Sequence, residues 1–321
     1  MTINKRISIA PMMAYTDRHY RVLMRLITRT ALLYTEMVTT GSLVHGEVSR
    51  HLAFSPIEKP LALQLGGADP QALAMCARMA ENCGYDEVNL NVGCPSDRVH
   101  SGQFGACLMK NPELVADCVA AMRAAVKVPV TVKTRIGVDQ QDSYAELQHF
   151  IATVTAAGCQ TFIVHARKAW LKGLSPRQNR TVPPLRYEVV YQLKRDFPEL
   201  EIIINGGIKT WEEVNTHLQQ VDGVMIGREA YDNPFLFADN PHLKRAQVVW
   251  DYLPYMAEQW GQGVSFWKMS RHLMGLFQGQ RGAKQWRRVL SGWRDSPQNL
   301  AELREALAPL LSQMSDEHPA S

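Results

Sequence analysis

Cys94 stands in Asn89-Leu90-Asn91-Val92-Gly93-Cys94-Pro95-Ser96, directly after a short apolar run and at the head of a glycine-containing stretch, VGCPSDRVHSGQFGACLMK. A thiol with an ordinary pKa of about 8.5 is largely protonated at neutral pH, so it can act as a general acid as well as a nucleophile. Lys133 ends a second run, with Arg135 two residues on. It suits either a Schiff-base amine or a fixed cation facing a developing anion. His165, followed by Arg167, ends a third run. No second His or Cys stands near it at metal-ligand spacing, so a hydrogen bond to an anionic ligand is favoured over a zinc site, and no metal is expected. Asn205-Gly206-Gly207 and Gly227-Arg228 close two further runs. Glycine lets backbone N–H groups approach an anion and arginine adds a charged fork, which together suit a phosphate. Pro11-Met12-Met13, Glu36, Gln64 and Asn91 complete the set of residues at run ends.

The elements that must hold these residues are short, apolar and β-branched: Ile7–Ala10, Ala31–Thr35, Leu61–Leu65, Glu87–Leu90, Val130–Val132, Thr161–Val164, Ile202–Ile204 and Gly223–Ile226. Between most of them lie segments of helical spacing with start signals: Asp17, Asp69-Pro70, Asn111-Pro112, Asp142 and Thr210. Strand and helix in alternation imply parallel pairing with crossover helices. Eight such units, with no G-x-G-x-x-G turn after the first strand, fit an α/β fold of the (β/α)8 TIM-barrel type better than an open doubly wound sheet. A barrel gathers the C-terminal ends of its strands on one face, where active sites are built, and anchors phosphate after strands seven and eight. The expected organisation is a catalytic barrel over residues 1–241 and a small helical domain over residues 242–321 with a flexible tail.

Composition excludes several classes. With 46% hydrophobic and 21% charged residues the chain is neither disordered nor collagen-like. Six cysteines without a C-x-x-C pair suggest a reduced, cytoplasmic setting, and no apolar run approaches the roughly 20 residues of a membrane span. The net charge of +4 is unevenly spread. Residues 241–294 carry nine cations against Asp251 and Glu258, a net +7, together with five of the seven tryptophans. The remainder nets −3. A second basic segment, residues 166–183, holds Arg167, Lys168, Lys172, Arg177 and Arg180 beside Trp170 with no acidic residue. Both suit a polyanion.

At these residues the chain resembles the tRNA-dihydrouridine synthases, flavin enzymes that reduce particular uridines of tRNA. The matching stretches are Ala10-Pro11-Met12-Met13, Tyr34-Thr35-Glu36-Met37, Leu63-Gln64-Leu65-Gly66, Asn89 to Pro95, Val132-Lys133-Thr134-Arg135, Val164-His165-Ala166-Arg167, Asn205-Gly206-Gly207 and Gly227-Arg228. TDRHYRVLMRLI, LLYTEMVTTGSLVHG, HARKAWLKGLSP and GLFQGQRGAKQWRR are similar to the A-type branch, which acts on uridines 20 and 20a of the D-loop.

The resemblance implies FMN as cofactor and NADPH, or NADH, as a transient reductant that needs no domain of its own. Pro11, Met12 and Met13 would line the flavin ring, and Gln64, Lys133 and His165 would hydrogen-bond it. Asn205, Gly206, Gly207, Gly227 and Arg228 would hold its phosphate. Hydride would pass from flavin N5 to uracil C6, and Cys94 would donate the proton to C5. Asn91 and Arg135 would grip the uracil edge, while Arg177, Arg180, Lys284 and Arg287 would contact tRNA. Lysine at position 284 stands where arginine is expected, which weakens a bidentate contact. A monomer would suffice for one tRNA, with no protein partner. Three alternatives remain on the residues themselves: a flavin barrel acting on a free pyrimidine or other small molecule, a Schiff-base lyase built on Lys133, and a tRNA-binding protein without catalysis.

Overall fold

The computed structural model of the protein describes residues 4–96, 103–292 and 300–313. Eight strands form in the expected order: β1 Ile7–Ile9, β2 Leu33–Thr39, β3 Leu61–Gly66, β4 Glu87–Asn91, β5 Val130–Arg135, β6 Thr161–His165, β7 Glu201–Asn205 and β8 Gly223–Ile226. Every pairing is parallel, and the order β1-β8-β7-β6-β5-β4-β3-β2 is that of a barrel. A bridge between Ser8 and Leu32 brings β1 back to the approach of β2, with Ile9 N donating to Leu32 O at 3.0 Å. The chain is thus a (β/α)8 barrel followed by a helical region.

Most strands end one to three residues from their expected bounds, and β2 departs furthest. β2 runs on to Thr39, with a register irregularity between Tyr34 and Met37, so Glu36 lies within the strand and not after it. A bulge inserts residues without ending the ladder, which polarity alone does not signal.

The helix starts follow their capping chemistry. Asp69 accepts from Ala72 N ahead of Pro70–Cys83, and Asn111 from Leu114 N ahead of Pro112–Ala125. Ser143 and Glu146 form a reciprocal box at Tyr144–Ala156, one residue later than the expected Asp142, and Thr210 with Glu213 does the same at Trp211–Leu218.

Side chains alternate along each strand, and the set that faces the barrel axis packs as Ala10, Leu32, Tyr34, Ala62, Ile163, Ile203 and Met225. Polar residues share that face. At the floor, the N-terminal ends of the strands, fully buried Glu87 accepts from Tyr34 Oη and Thr131 Oγ1, both at 2.7 Å. Lys5 Nζ stands 3.4 Å from Glu87 and 3.0 Å from Glu201. Burial alone would lower the Lys5 pKa, but the two carboxylates outweigh it and hold the ammonium above the usual lysine value.

The chain divides into two compact units, residues 1–14 with 31–227 and residues 15–30 with 228–321. The expected boundary at 241/242 falls inside the second unit, and the first crossover segment groups there too. The reason is local packing. In helix Arg18–Ile27, Tyr20 Oη donates to Ala230 O at 2.7 Å, and Tyr252 Oη donates to His19 O at 3.0 Å. Asp17, which caps this helix, lies 2.6 Å from Arg271 Nη2 and 2.9 Å from His272 Nε2. Burial pushes the Asp17 carboxyl up, but the hydrogen bond and charge of His272 prevail and hold it well below the usual carboxylate range.

The second unit is otherwise helical: Arg245–Gly261, Phe266–Ser270, Ala283–Gly292 and Leu300–Gln313. Trp286 is wholly buried and donates from its indole to Leu273 O at 2.8 Å. Trp250 and Trp267 are half-buried and Trp260 is exposed; Trp293 lies outside the described residues, as does the tail beyond residue 313. No helix among the described residues is long and apolar enough to cross a membrane.

Candidate active site

Six residues at the strand ends share the parity of the barrel interior: Gln64, Asn91, Lys133, Arg135, His165 and Asn205. Register makes several of them direct neighbours, Asn91 beside Lys133, Arg135 beside His165, and His165 beside Asn205. The period of two that hides apolar residues in a strand therefore also aims this polar set inward.

Asn91 organises the segment that carries the thiol. Its Oδ1 accepts from Gly93 N at 3.1 Å and Cys94 N at 2.9 Å, and its Nδ2 donates to Gln64 Oε1 at 2.8 Å. Gln64 Nε2 donates in turn to Asn89 Oδ1, and Asn89 Nδ2 to Thr131 Oγ1, each at 2.8 Å. Thr131 then donates to Glu87, so a continuous buried chain joins the barrel floor to the Cys94 backbone. Half-buried Cys94 has its Sγ 3.4 Å from Ser96 Oγ, and its carbonyl accepts from Ala106 N at 2.9 Å. Among the other cysteines, 76, 118 and 159 are buried, 107 is half-buried, and Cys83 is exposed at the end of its helix rather than packed within it.

Lys133 Nζ donates to Asn205 Oδ1 at 3.3 Å, and Asn205 Nδ2 donates to Met225 O at 2.8 Å. Burial, reinforced by Arg135, lowers the Lys133 pKa to about 8. The ammonium form still prevails at neutral pH, and an amine this easily freed suits a Schiff base as well as a fixed cation. Burial pushes His165 well below its ordinary value, helped by Arg135, Lys133, Arg167 and Arg180. The imidazole is neutral at pH 7, with one ring nitrogen to donate and one to accept.

The glycines divide by cause. Gly206 and Gly207 both have positive φ, at 123° and 77°. A Cβ on Gly206 would stand 2.7 Å from His165 Cδ2, and one on Gly207 would stand 2.6 Å from Leu185 Cδ1. Backbone shape and packing already demand glycine at both. Gly227 has no such constraint: a Cβ there would meet only Ala10 Cβ at 3.6 Å and Met12 Sδ at 3.8 Å. Pro11 and Met12 are half-buried and Met13 is 56% exposed, while Ala14 N donates to the Glu36 carboxylate. Arg228, exposed, opens the short helix Arg228–Asp232 of the second unit.

Arg135 is buried and largely engaged. Its Nε donates to Gly93 O at 2.8 Å and its Nη1 to Lys168 O at 3.1 Å and Asn179 O at 3.0 Å. The expected grip of Asn91 and Arg135 on a uracil edge is therefore limited to what these bonds leave, one N–H of Asn91 Nδ2 and the Nη2 group of Arg135; the rest holds backbone groups and the Gln64 side chain. Arg177 and Arg180 are exposed around a single 3₁₀ turn, Gln178–Arg180, and the Lys168 ammonium lies 4.2 Å from the Trp170 ring centre. In the second unit, helix Ala283–Gly292 buries Trp286 and Leu290 and exposes Lys284, Arg287 and Arg288. Among the described residues no group of three or more His, Cys, Asp or Glu side chains could hold a metal ion.

Sequence reasoning missed Asn179 and the interior residues Glu87, Asn89 and Thr131. Asn179 sits in a segment with no periodicity. The others carried a signal, since polar residues at 87, 89 and 91 alternate with Val88 and Leu90 along a strand otherwise read as apolar.

A parallel barrel whose strand ends converge a thiol, a lysine, an imidazole and a glycine turn defines a class of enzyme fold with one polar active face. The sequence pattern of the dihydrouridine synthase (Dus) family matches residues 8–311, and the chain belongs to that family. It is 58% identical over 294 residues to the tRNA-dihydrouridine(20/20a) synthase of Synechocystis sp. (strain ATCC 27184 / PCC 6803 / Kazusa), covering 89% of this chain and 88% of that one. It is 54% identical over 321 residues to the protein of the same name from Vibrio cholerae serotype O1, covering 97% and 98%. The Escherichia coli (strain K12) protein of that name is 58% identical over 296 residues, covering 89% and 86%. Among solved structures, a 2-naphthoyl-CoA reductase complex aligns with a TM-score of 0.57 at 11% identity, over 74% of this chain and 50% of that one, a likeness of fold alone.

Proposed function

We propose that the protein reduces uridines 20 and 20a of tRNA to 5,6-dihydrouridine, with FMN bound at the barrel mouth and NADPH as the transient reductant. The observation that carries this reading is the inward-facing set of Gln64, Lys133, His165 and Asn205 beside a Cys94 segment held by Asn91, in a chain of the dihydrouridine synthase family.

The donor set fits a flavin mononucleotide. Lys133 offers a cation and two further N–H groups to an anionic ring edge, and neutral His165 offers a donor or an acceptor. Gly206, Gly207 and Gly227, with Arg228 next in sequence, offer backbone N–H groups and charge to a phosphate. The Cβ position that Gly227 leaves open, touched only at ordinary van der Waals distance, suits close approach of a ligand. Pro11, Met12 and Met13 supply the apolar wall. When bound, FMN would supply hydride chemistry towards uracil C6, with NADPH as its source of electrons.

The chain's own residues perform the rest. Cys94 Sγ delivers its proton to C5, Asn91 holds the two amides that lead into Cys94, and Lys133 keeps positive charge against the anion that forms. Arg135 and Asn91 turn their remaining N–H groups to the pyrimidine edge. A uridine in a tRNA loop unstacks more cheaply than one in a duplex. Arg177 and Arg180 on one unit, and Lys284 and Arg287 on the other, would hold tRNA phosphates. A cytoplasmic monomer is sufficient for this task.

Mass-spectrometric mapping of dihydrouridine in tRNA from cells lacking the protein tests activity and position together. Loss at positions 20 and 20a is expected; unchanged dihydrouridine there overturns the reading. A purified protein that takes up no FMN and shows no flavin absorption would also overturn it.

A further inference from the structure

Residues 166–183 carry five cations, and their regular structure is limited to a bridge from Ala169 to Val138 and the one 3₁₀ turn at Gln178–Arg180. Beyond Ala169, which exchanges backbone bonds with Gly137 and Asp139, the segment has no ladder and is ordered largely by side chains. One side chain supplies most of that order. Asn179 is fully buried, and its Oδ1 accepts from Trp170 N at 2.8 Å while its Nδ2 donates to Trp170 O at 2.9 Å and Leu174 O at 3.1 Å. The amide thus pairs with both backbone groups of Trp170 as a neighbouring strand would.

The position of Asn179 in the turn gives this bonding a functional direction. Arg180 N donates to Arg177 O at 3.1 Å, and in a 3₁₀ turn residues three apart eclipse. With Asn179 turned inward, Arg177 and Arg180, both exposed, start from the same edge of the turn. The Asn179 carbonyl is also held by Arg135, whose Nε grips Gly93 next to Cys94. The same residue therefore ties the cationic edge to the segment that carries the thiol.

We propose that Asn179 is a positioning residue for tRNA: its buried amide sets Arg177 and Arg180 as a preformed pair for two phosphates. This rests on the tRNA reading above. Without the amide the two arginines remain exposed but no longer hold a fixed spacing, so binding weakens through ordering entropy and not through missing charge.

The test uses full-length Asn179→Ala and Asn179→Asp holoenzymes, with Asp retaining the acceptor and losing both donors. Binding of unmodified tRNA transcript is measured across a salt series, beside flavin content and NADPH oxidation without tRNA. Both variants are expected to raise the tRNA Kd and KM by roughly tenfold and to flatten the slope of log affinity against log salt by about 0.7–0.9 for each phosphate that is no longer engaged. Flavin content and NADPH oxidation stay at wild-type values. In an Arg177→Ala/Arg180→Ala background the same substitution adds little. An unchanged Kd for tRNA, or a full effect in that background, overturns the proposal. So does parallel loss of NADPH oxidation in both variants, which marks a general structural role. Wild-type protein that neither binds nor modifies the transcript would instead refute the tRNA reading itself.

Discussion

At the floor of the barrel Lys5 lies between Glu87 and Glu201, whereas at the strand ends Lys133 and His165 lie among arginines. Glu87 and Glu201 have the inward parity of β4 and β7, Lys133 and His165 that of β5 and β6, and Lys5 precedes β1. At the floor two carboxylates face one ammonium, and the Lys5 pKa rises in spite of burial. At the mouth burial, reinforced by neighbouring cations, lowers the pKa values of Lys133 and His165. Opposite charges held together serve the fold, while like charges held together serve an anion still to arrive.

The sharpest separation of the two ends comes from Cys94→Ala. Dihydrouridine formation is expected to fall by roughly 10²–10⁴-fold, the scale of general acid catalysis, while NADPH oxidation and the denaturation midpoint are unchanged. Normal product from that variant removes the thiol from the chemistry. Glu87→Ala addresses the floor: it strands Lys5 with one carboxylate and leaves Tyr34 and Thr131 without their acceptor. A loss of about 3 kcal/mol in urea unfolding is expected, and a loss below about 1 kcal/mol would mean that the floor does not serve stability. Lys133→Met should behave oppositely, leaving the flavin-free protein as stable as wild type or slightly more so, with weaker FMN retention on dialysis.

The pH dependence carries the same contrast. The folded-state pKa of Lys133, about 8, lies below the ordinary lysine value of 10.5, so the unfolded chain binds more protons between those limits. Its share of stability therefore grows as pH rises from about 8 towards 10.5, and the growth should vanish in Lys133→Met. Lys5, held above 10.5, has the other sign: its contribution is complete below that value and is lost as pH climbs through the folded pKa. The smallest effect is expected at the helical unit, where Arg287→Ala should lower the salt slope of tRNA binding by about 0.7–0.9 without altering stability. An unchanged slope would remove Arg287 from the tRNA-binding surface.

Much of the barrel was legible because parallel strands are continuous apolar runs, and residues such as Lys133, His165 and Asn205 stand where those runs stop. Glu36 misled, because a bulge carried β2 past it. Asn179 left no trace, since its partners, Trp170 and Leu174, are backbone groups that any sequence supplies. The grouping of residues 15–30 with the helical unit was equally hidden. It depends on Asp17 meeting Arg271 and His272, some 250 residues away, a long-range pairing that no local pattern encodes.

The chain of amides through the barrel has a sense of travel. Backbone N–H groups at one end can only donate, so Asn91 must present its oxygen to them and its nitrogen to Gln64. Gln64 and Asn89 are then each obliged to turn the same way, and Thr131 must pass its proton to Glu87, which as a carboxylate can only accept. Each link is dictated from both ends, and no amide can flip without stranding its neighbours. The barrel therefore carries an aligned file of dipoles, all donors aimed at one buried negative charge. Each bond polarises the next, so the orientation of the peptide that leads into Cys94 is registered against a group at the opposite end of the fold.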